Sequence, residues 1–171
     1  MMSLLLVTGG AQAQITASEI QFSYGFSADS MNSARIAWRS APLSCFELPA
    51  WTGQPALLAE TSLTYIQNTK SAGSDLTLAG LSPVLQWHLT GEQRPVYLEA
   101  GIGVAALDRR RVSGRDLGSQ LQFEDMLRLS WQYREGRANR LSLAFVHYSN
   151  GSLKGPNHGL NLYQLSWIRP F

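Results

Sequence analysis

The sequence predicts an all-β protein, an eight-stranded antiparallel transmembrane β-barrel, from three observations. Apolar and polar residues alternate in eight separate stretches, which is the period of a strand with two unlike faces. The stretches run to about 8–12 residues, long for a globular strand and suited to a tilted membrane strand. The last stretch ends the chain on an aromatic, Phe171, with Tyr163 and Trp167 on the same side.

In chain order, Ile20, Phe22, Tyr24 and Phe26 alternate with Gln21, Ser23 and Gly25, and Ala34, Ile36 and Trp38 with Arg35 and Arg39. Leu57, Ala59, Leu63 and Tyr65 oppose Glu60, Ser62 and Thr64. The fourth stretch, near 76–88, is less regular and is interrupted by Pro83. Val96, Leu98, Ala100, Ile102 and Val104 alternate with Tyr97, Glu99, Gly101 and Gly103. The sixth stretch is the clearest: Leu121, Phe123, Leu127, Leu129, Trp131 and Tyr133 share one parity, broken only by Asp125. Leu141, Leu143 and Phe145 form the seventh, and the C-terminal segment is the eighth. Glu60, Glu99, Glu124, Arg35, Arg39 and Arg128 all fall on the polar parity, where a closed lumen would let opposite charges pair.

Composition narrows the classes. Charged residues are only 15% against 44% hydrophobic, which argues against disorder, and the net charge of +2 gives no basic footprint for nucleic acid. The single cysteine, Cys45, excludes an internal disulfide framework and a multi-cysteine zinc site. His88, His147 and His158 have no metal-ligand spacing, so neither metal nor cofactor is expected. Residues 1–13, a short apolar run ending Ala11-Gln12-Ala13, read as the remnant of a signal peptide, leaving 14–171 as one barrel domain. With both ends on the periplasmic side, outer connections fall near 27–32, 66–75, 107–119 and 150–159. Residues 40–55 then form a periplasmic loop of unusual length, with no evident role in the sequence.

The seventh stretch carries its apolar parity on to His147 and Ser149, two polar residues on the lipid-facing side, their Cα atoms about 7 Å apart. Spacing alone leaves an interfacial rim and a nucleophile–base pair both open. The string His147-Tyr148-Ser149-Asn150-Gly151-Ser152-Leu153-Lys154-Gly155-Pro156-Asn157-His158-Gly159-Leu160-Asn161 resembles the signature of the lipid A 3-O-deacylase family. Leu117-Gly118-Ser119, Phe123-Glu124-Asp125 and the Gly-rich fifth stretch extend the similarity over most of 95–171.

That resemblance implies a bacterial outer-membrane esterase that removes the 3-O-linked acyl chain of lipid A in lipopolysaccharide, needs no cofactor and contacts no nucleic acid. It makes Ser149 the nucleophile and His147 its general base, with Asn157 on the oxyanion and Asn150 and the Gly151-Ser152 amides assisting. The best-known form of the family has Glu where this chain has Asn161, so Asn161 becomes the orienter of His147, able to align the ring but not to supply charge. Asp125 is a substitute acid on the same outward parity. His158 reads as a solvated loop residue and His88 as interfacial. The run Arg109-Arg110-Arg111, with Arg115, is a solvated outer-loop cluster or a contact for lipid A phosphates. A non-catalytic structural or adhesive barrel and a soluble lipocalin-like carrier are the competing readings, and a homodimer is compatible with all three.

Overall fold

A computed structural model describes residues 17–44, 48–70, 75–90, 93–134 and 138–171; the signal-like segment 1–13 and Cys45 lie outside them. The strands are β1 (Glu19–Ser27), β2 (Met31–Arg39), β3 (Ala56–Asn68), β4 (Leu76–Thr90), β5 (Val96–Leu107), the two-residue β6 (Arg111–Val112) and β7 (Arg115–Asp116), β8 (Leu121–Gln132), β9 (Arg140–Ser149) and β10 (Leu160–Pro170). Eight of them close into an antiparallel barrel in the order β1-β10-β9-β8-β5-β4-β3-β2. The closing seam pairs β1 with β10, Glu19 opposite Pro170 and Phe26 opposite Tyr163, so both chain ends meet at one rim. Apart from that seam every neighbour is the next barrel strand in sequence, and the closed barrel leaves no edge for lipid to face.

The polarity is inverted relative to a soluble protein. Each barrel strand turns apolar side chains outward, among them Tyr24 (61% exposed), Ile36, Leu63, Leu81, Ile102 (68% exposed), Leu127, Leu143 and Leu165. A continuous outer belt of this kind belongs in hydrocarbon, and it excludes the lipocalin-like carrier, whose apolar face would line the interior.

The lumen is filled by ionised groups. Arg35 reaches Glu60 and Glu124 at 2.8 Å each and donates to the Tyr148 hydroxyl at 3.0 Å. Arg39 spans Glu19 at 3.1 Å and Glu99 at 2.8 Å, while Arg128 bridges Glu60 at 2.9 Å and Glu99 at 2.8 Å. Arg140 closes the set on Glu19 at 2.7 Å and lies 5.0 Å from the Tyr97 ring centroid. Glu19 and Arg140 complete it beyond the six charges read from the alternation. Glu19–Arg39, Arg39–Glu60 and Glu99–Arg128 face each other directly across strand pairs, so strand register alone brings them together.

Nearer the loop end the lumen becomes apolar. Met31, Ile66, Leu76, Leu78, Leu107, Leu160 and Leu162 pack together under Val112 and Leu117 of the 108–120 connection, all nearly inaccessible. That plug explains the irregular fourth stretch. β4 is one continuous strand of 15 residues, with inward Leu76 and Leu78 in the plug and outward Pro83 facing lipid. β3 and β4, at 13 and 15 residues, exceed the expected length. The ladder from β4 to β5 omits Ser82 and Pro83, the place where a proline has no N–H to give.

Glu60 faces three arginines, so replacing it leaves uncompensated buried cations. Glu60→Leu is expected to lose about 3–5 kcal/mol, read as a lower urea midpoint for heat-modifiable migration of the folded barrel.

Candidate active site

The outward row of β9 climbs from Leu141 through Leu143 and Phe145 to His147 and Ser149 at the loop end. Antiparallel register puts His147 between two polar neighbours, Asn161 on β10 and Asp125 on β8. The choice between them is made: the Nδ1 of His147 lies 2.6 Å from Asn161 Oδ1, and no hydrogen bond joins the ring to Asp125. An amide oxygen only accepts, so this bond places the ring hydrogen on Nδ1 and leaves the Nε2 lone pair open. Ser149 is half-buried, stands opposite Phe123, and its hydroxyl has no hydrogen-bond partner among the described residues.

Residues 150–159 then fold into a short structured loop. Gly151 and Ser152 both have positive φ, 61° and 62°, and Leu153 N–H closes the turn on Asn150 O at 3.1 Å, the pattern of a type I′ turn. Asn150 is 3% exposed, and its side-chain amide donates to Leu117 O at 2.9 Å and Lys154 O at 2.8 Å. Its backbone N–H donates to Asn157 Oδ1 at 3.1 Å. Asn150 is therefore a strut inside the loop, with its donors committed to protein. The bond it makes to Asn157 Oδ1 turns the Asn157 amide nitrogen the other way, 3.5 Å from Ser152 Oγ. Gly159, at φ 57°, passes so close to His147 that a Cβ there would come within 3.0 Å of ring Cε1.

The 108–120 connection braces this loop. β6 and β7 pair as a hairpin, and a Cβ on Gly118 would collide with Pro156 O. His158 is an exposed loop residue, and its Nδ1 accepts from Asp116 N–H at 3.2 Å. Arg110 and Arg111 pair with Asp116 at 3.7 and 2.9 Å, and Arg109 with Asp108 at 3.6 Å. The Gly118 N–H and then Arg111 hold the Asp116 carboxyl below its usual range. Arg115 reaches Asp29 in the β1–β2 turn at 2.7 Å, a pairing between distant segments that no local pattern announces. His88 meets Tyr97 at a tilt, ring centroids 5.3 Å apart, at the far end of the barrel. Among the described residues no three metal-ligating side chains cluster.

Below His147 the outer wall is hollowed into an apolar groove of about 570 Å³, with Asp125 at its rim. Phe145, Leu127, Ala100, Leu85 and Leu57 line it and stand opposite one another on successive strands. Four steps of about 4.8 Å make it roughly 19 Å long. Phe145 lies midway along β9 and Leu57 near the start of β3, so the groove slopes across the wall from beneath the site toward the opposite rim. Leu48 lines its far end, which gives the long 40–55 connection a place. That connection is tied to the wall where Trp87 Nε1 donates to Thr52 O at 2.7 Å.

Comparison with known proteins agrees with this fold. The family model described as lipid A 3-O-deacylase (PagL) matches residues 22–168. The lipid A deacylase PagL of Pseudomonas aeruginosa is 37% identical over 89 residues, 52% of this chain and 50% of that protein's length. The lipid A deacylase PagL of Bordetella bronchiseptica is 29% identical over 99% of this chain and 92% of its own length. The crystal structure of the outer membrane enzyme PagL superposes with a TM-score of 0.75 at 26% identity, covering 90% of this chain and 99% of that one. Neisserial surface protein A, at 14% identity and a TM-score of 0.51 over 90% of this chain and 94% of its own, shares the barrel fold. With a match running from β1 to β10, the chain belongs to the lipid A 3-O-deacylase family.

Proposed function

We propose that this chain is an outer-membrane lipid A deacylase that cleaves the 3-O-linked acyl ester through Ser149 and His147. Family membership supports the reaction and its place in the outer membrane. The observation that carries the mechanism is the His147–Asn161 bond of 2.6 Å, which presets the tautomer a general base needs. Ser149 Oγ attacks the ester carbonyl carbon as its proton passes to His147 Nε2. The tetrahedral intermediate collapses, the C–O bond breaks, and the departing sugar alkoxide takes the proton back from His147. Water, deprotonated by the same ring, then releases the fatty acid from Ser149 and restores the serine.

The oxyanion needs donors already in place. Asn157 suits this role because Asn150 N–H fixes its amide oxygen and leaves an amide hydrogen to point elsewhere. The Asn150 side chain, bonded to Leu117 O and Lys154 O, acts by holding the loop. Asn161 aligns the imidazole without adding charge, so the imidazolium formed in the reaction is stabilised by alignment and by the site's polarity. Because the pair faces lipid, the ester can reach it from within the leaflet, and the groove offers the acyl chain a bed along the wall.

Activity is best read by mass spectrometry of lipid A released from mixed micelles. Ser149→Ala is expected to lower kcat by at least about a thousandfold while the barrel keeps its heat-modifiable migration. A folded Ser149→Ala enzyme with full activity would sink the mechanism. Asn161→Ala removes one neutral hydrogen bond and is expected to lower kcat about fivefold to tenfold, roughly 1–1.4 kcal/mol. Ala100→Trp fills the groove without touching the site and is expected to reduce kcat/KM about tenfold. An unchanged kcat/KM would place the acyl chain elsewhere.

A further inference from the structure

We infer that Arg115 is a positioning residue for the base, tying the backbone beside His147 to the β1–β2 turn. This rests on the Ser149–His147 reading above. One guanidinium nitrogen of Arg115 donates to His158 O at 2.9 Å and to Gly159 O at 3.1 Å, and the other meets Asp29 Oδ2 at 2.7 Å. Gly159 is the residue at which an added Cβ would come within 3.0 Å of the His147 ring, and it stands two positions before Asn161. The tie thus acts on both partners of the 2.6 Å bond: it holds Gly159 where only a hydrogen fits beside the ring and sets where β10 begins, and with it Asn161.

The geometry suits arginine in particular. A planar fork with fixed N–H directions can serve two carbonyls on one side and a carboxylate on the other, which an ammonium on a flexible stem cannot do in one pose. Asp29 is itself oriented from behind, its backbone N–H and its carboxylate both 3.4 Å from Ser27 Oγ. The hydrogen bond from Arg115 holds the Asp29 carboxyl below its usual range, so the carboxylate is ionised at neutral pH. Ser113 Oγ, at 3.4 Å from Asp29 O, adds a second link between the same two segments. Three connections at the loop end, 28–30, 108–120 and 150–159, therefore meet at one side chain, immediately beside the base.

The residue acts through His147 and not on substrate, so its signature is a split between kinetic constants. Full-length wild type, Arg115→Gln, Asp29→Asn, the double variant and Ser149→Ala would be assayed on lipid A in mixed micelles, with heat-modifiable migration confirming each fold. Arg115→Gln is expected to lower kcat about tenfold with KM changed less than about twofold. Asp29→Asn is expected to lose less, and the double variant no more than Arg115→Gln, because both changes release one tie. Histidine-labelled NMR supplies a readout independent of turnover. Wild type should show a slowly exchanging Nδ1–H for His147 that Arg115→Gln loses. A rise in KM at constant kcat would make Arg115 a substrate contact and overturn the inference. Additive losses, or an unchanged His147 signal, would do the same. Full activity in Ser149→Ala would remove the Ser–His reading itself, whereas loss of the Nδ1–H signal would still report the tie.

Discussion

The barrel depends on one constraint, charge neutrality inside a wall that faces hydrocarbon. Among the described residues, four arginines and four glutamates occupy the lumen, each in contact with an opposite charge. Removing any one exposes its neighbours to a low-dielectric interior without compensation, which costs far more than an equivalent surface pair contributes. The network also joins seven of the eight strands, with Gln86 and Ser82 of β4 bonded to Glu99 and Glu124 at 2.8 Å. Closure and charge pairing are thus the same event: the ladder brings Arg39 opposite both Glu19 and Glu60 only when the register is right, and a slip of one residue would turn those charges into lipid.

That inside-out arrangement decides where chemistry can occur. The lumen is filled, so polar groups able to act on a membrane component have to stand on the outer wall near a rim. His147 and Ser149 do so by continuing the parity of Leu143 and Phe145, and the strands on either side supply the polar neighbours. The loop that follows is stiffened by buried hydrogen bonds more than by apolar burial: Asn150 alone fastens it to Leu117 O, Lys154 O and the Asn157 side chain. Rigidity there is useful, because a site open to the leaflet has no cavity walls to hold its groups in line.

Much of this was legible in the sequence because period-2 alternation is a direct image of a two-faced wall. Phe22, Tyr24 and Phe26 against Gln21 and Ser23 state which side is lipid, and the outward run to His147 and Ser149 states where the pattern breaks. The fourth stretch is placed by the sequence but looks less regular there, because the lumen is itself apolar near its plug: with Leu76 and Leu78 facing inward, both parities of β4 look alike. The link from Arg115 to Asp29 was invisible, since loop geometry brings together two positions that no periodicity connects. The groove was hidden for a related reason: Phe145, Leu127, Ala100, Leu85 and Leu57 form a line only once the register of five strands is known. The small side chain of Ala100 in that line reads, in one dimension, as an ordinary strand residue.

The apolar plug under Val112 and Leu117 has a consequence for the cell that carries the protein. An outer membrane survives as a permeability barrier, and each barrel inserted into it is a candidate leak. Here a solute would have to part tightly packed leucines and then displace a neutral lattice of ion pairs. The barrel is thus a closed wall and not a pore, offering its chemistry to the leaflet while the plug and the ion pairs keep the interior shut to solutes.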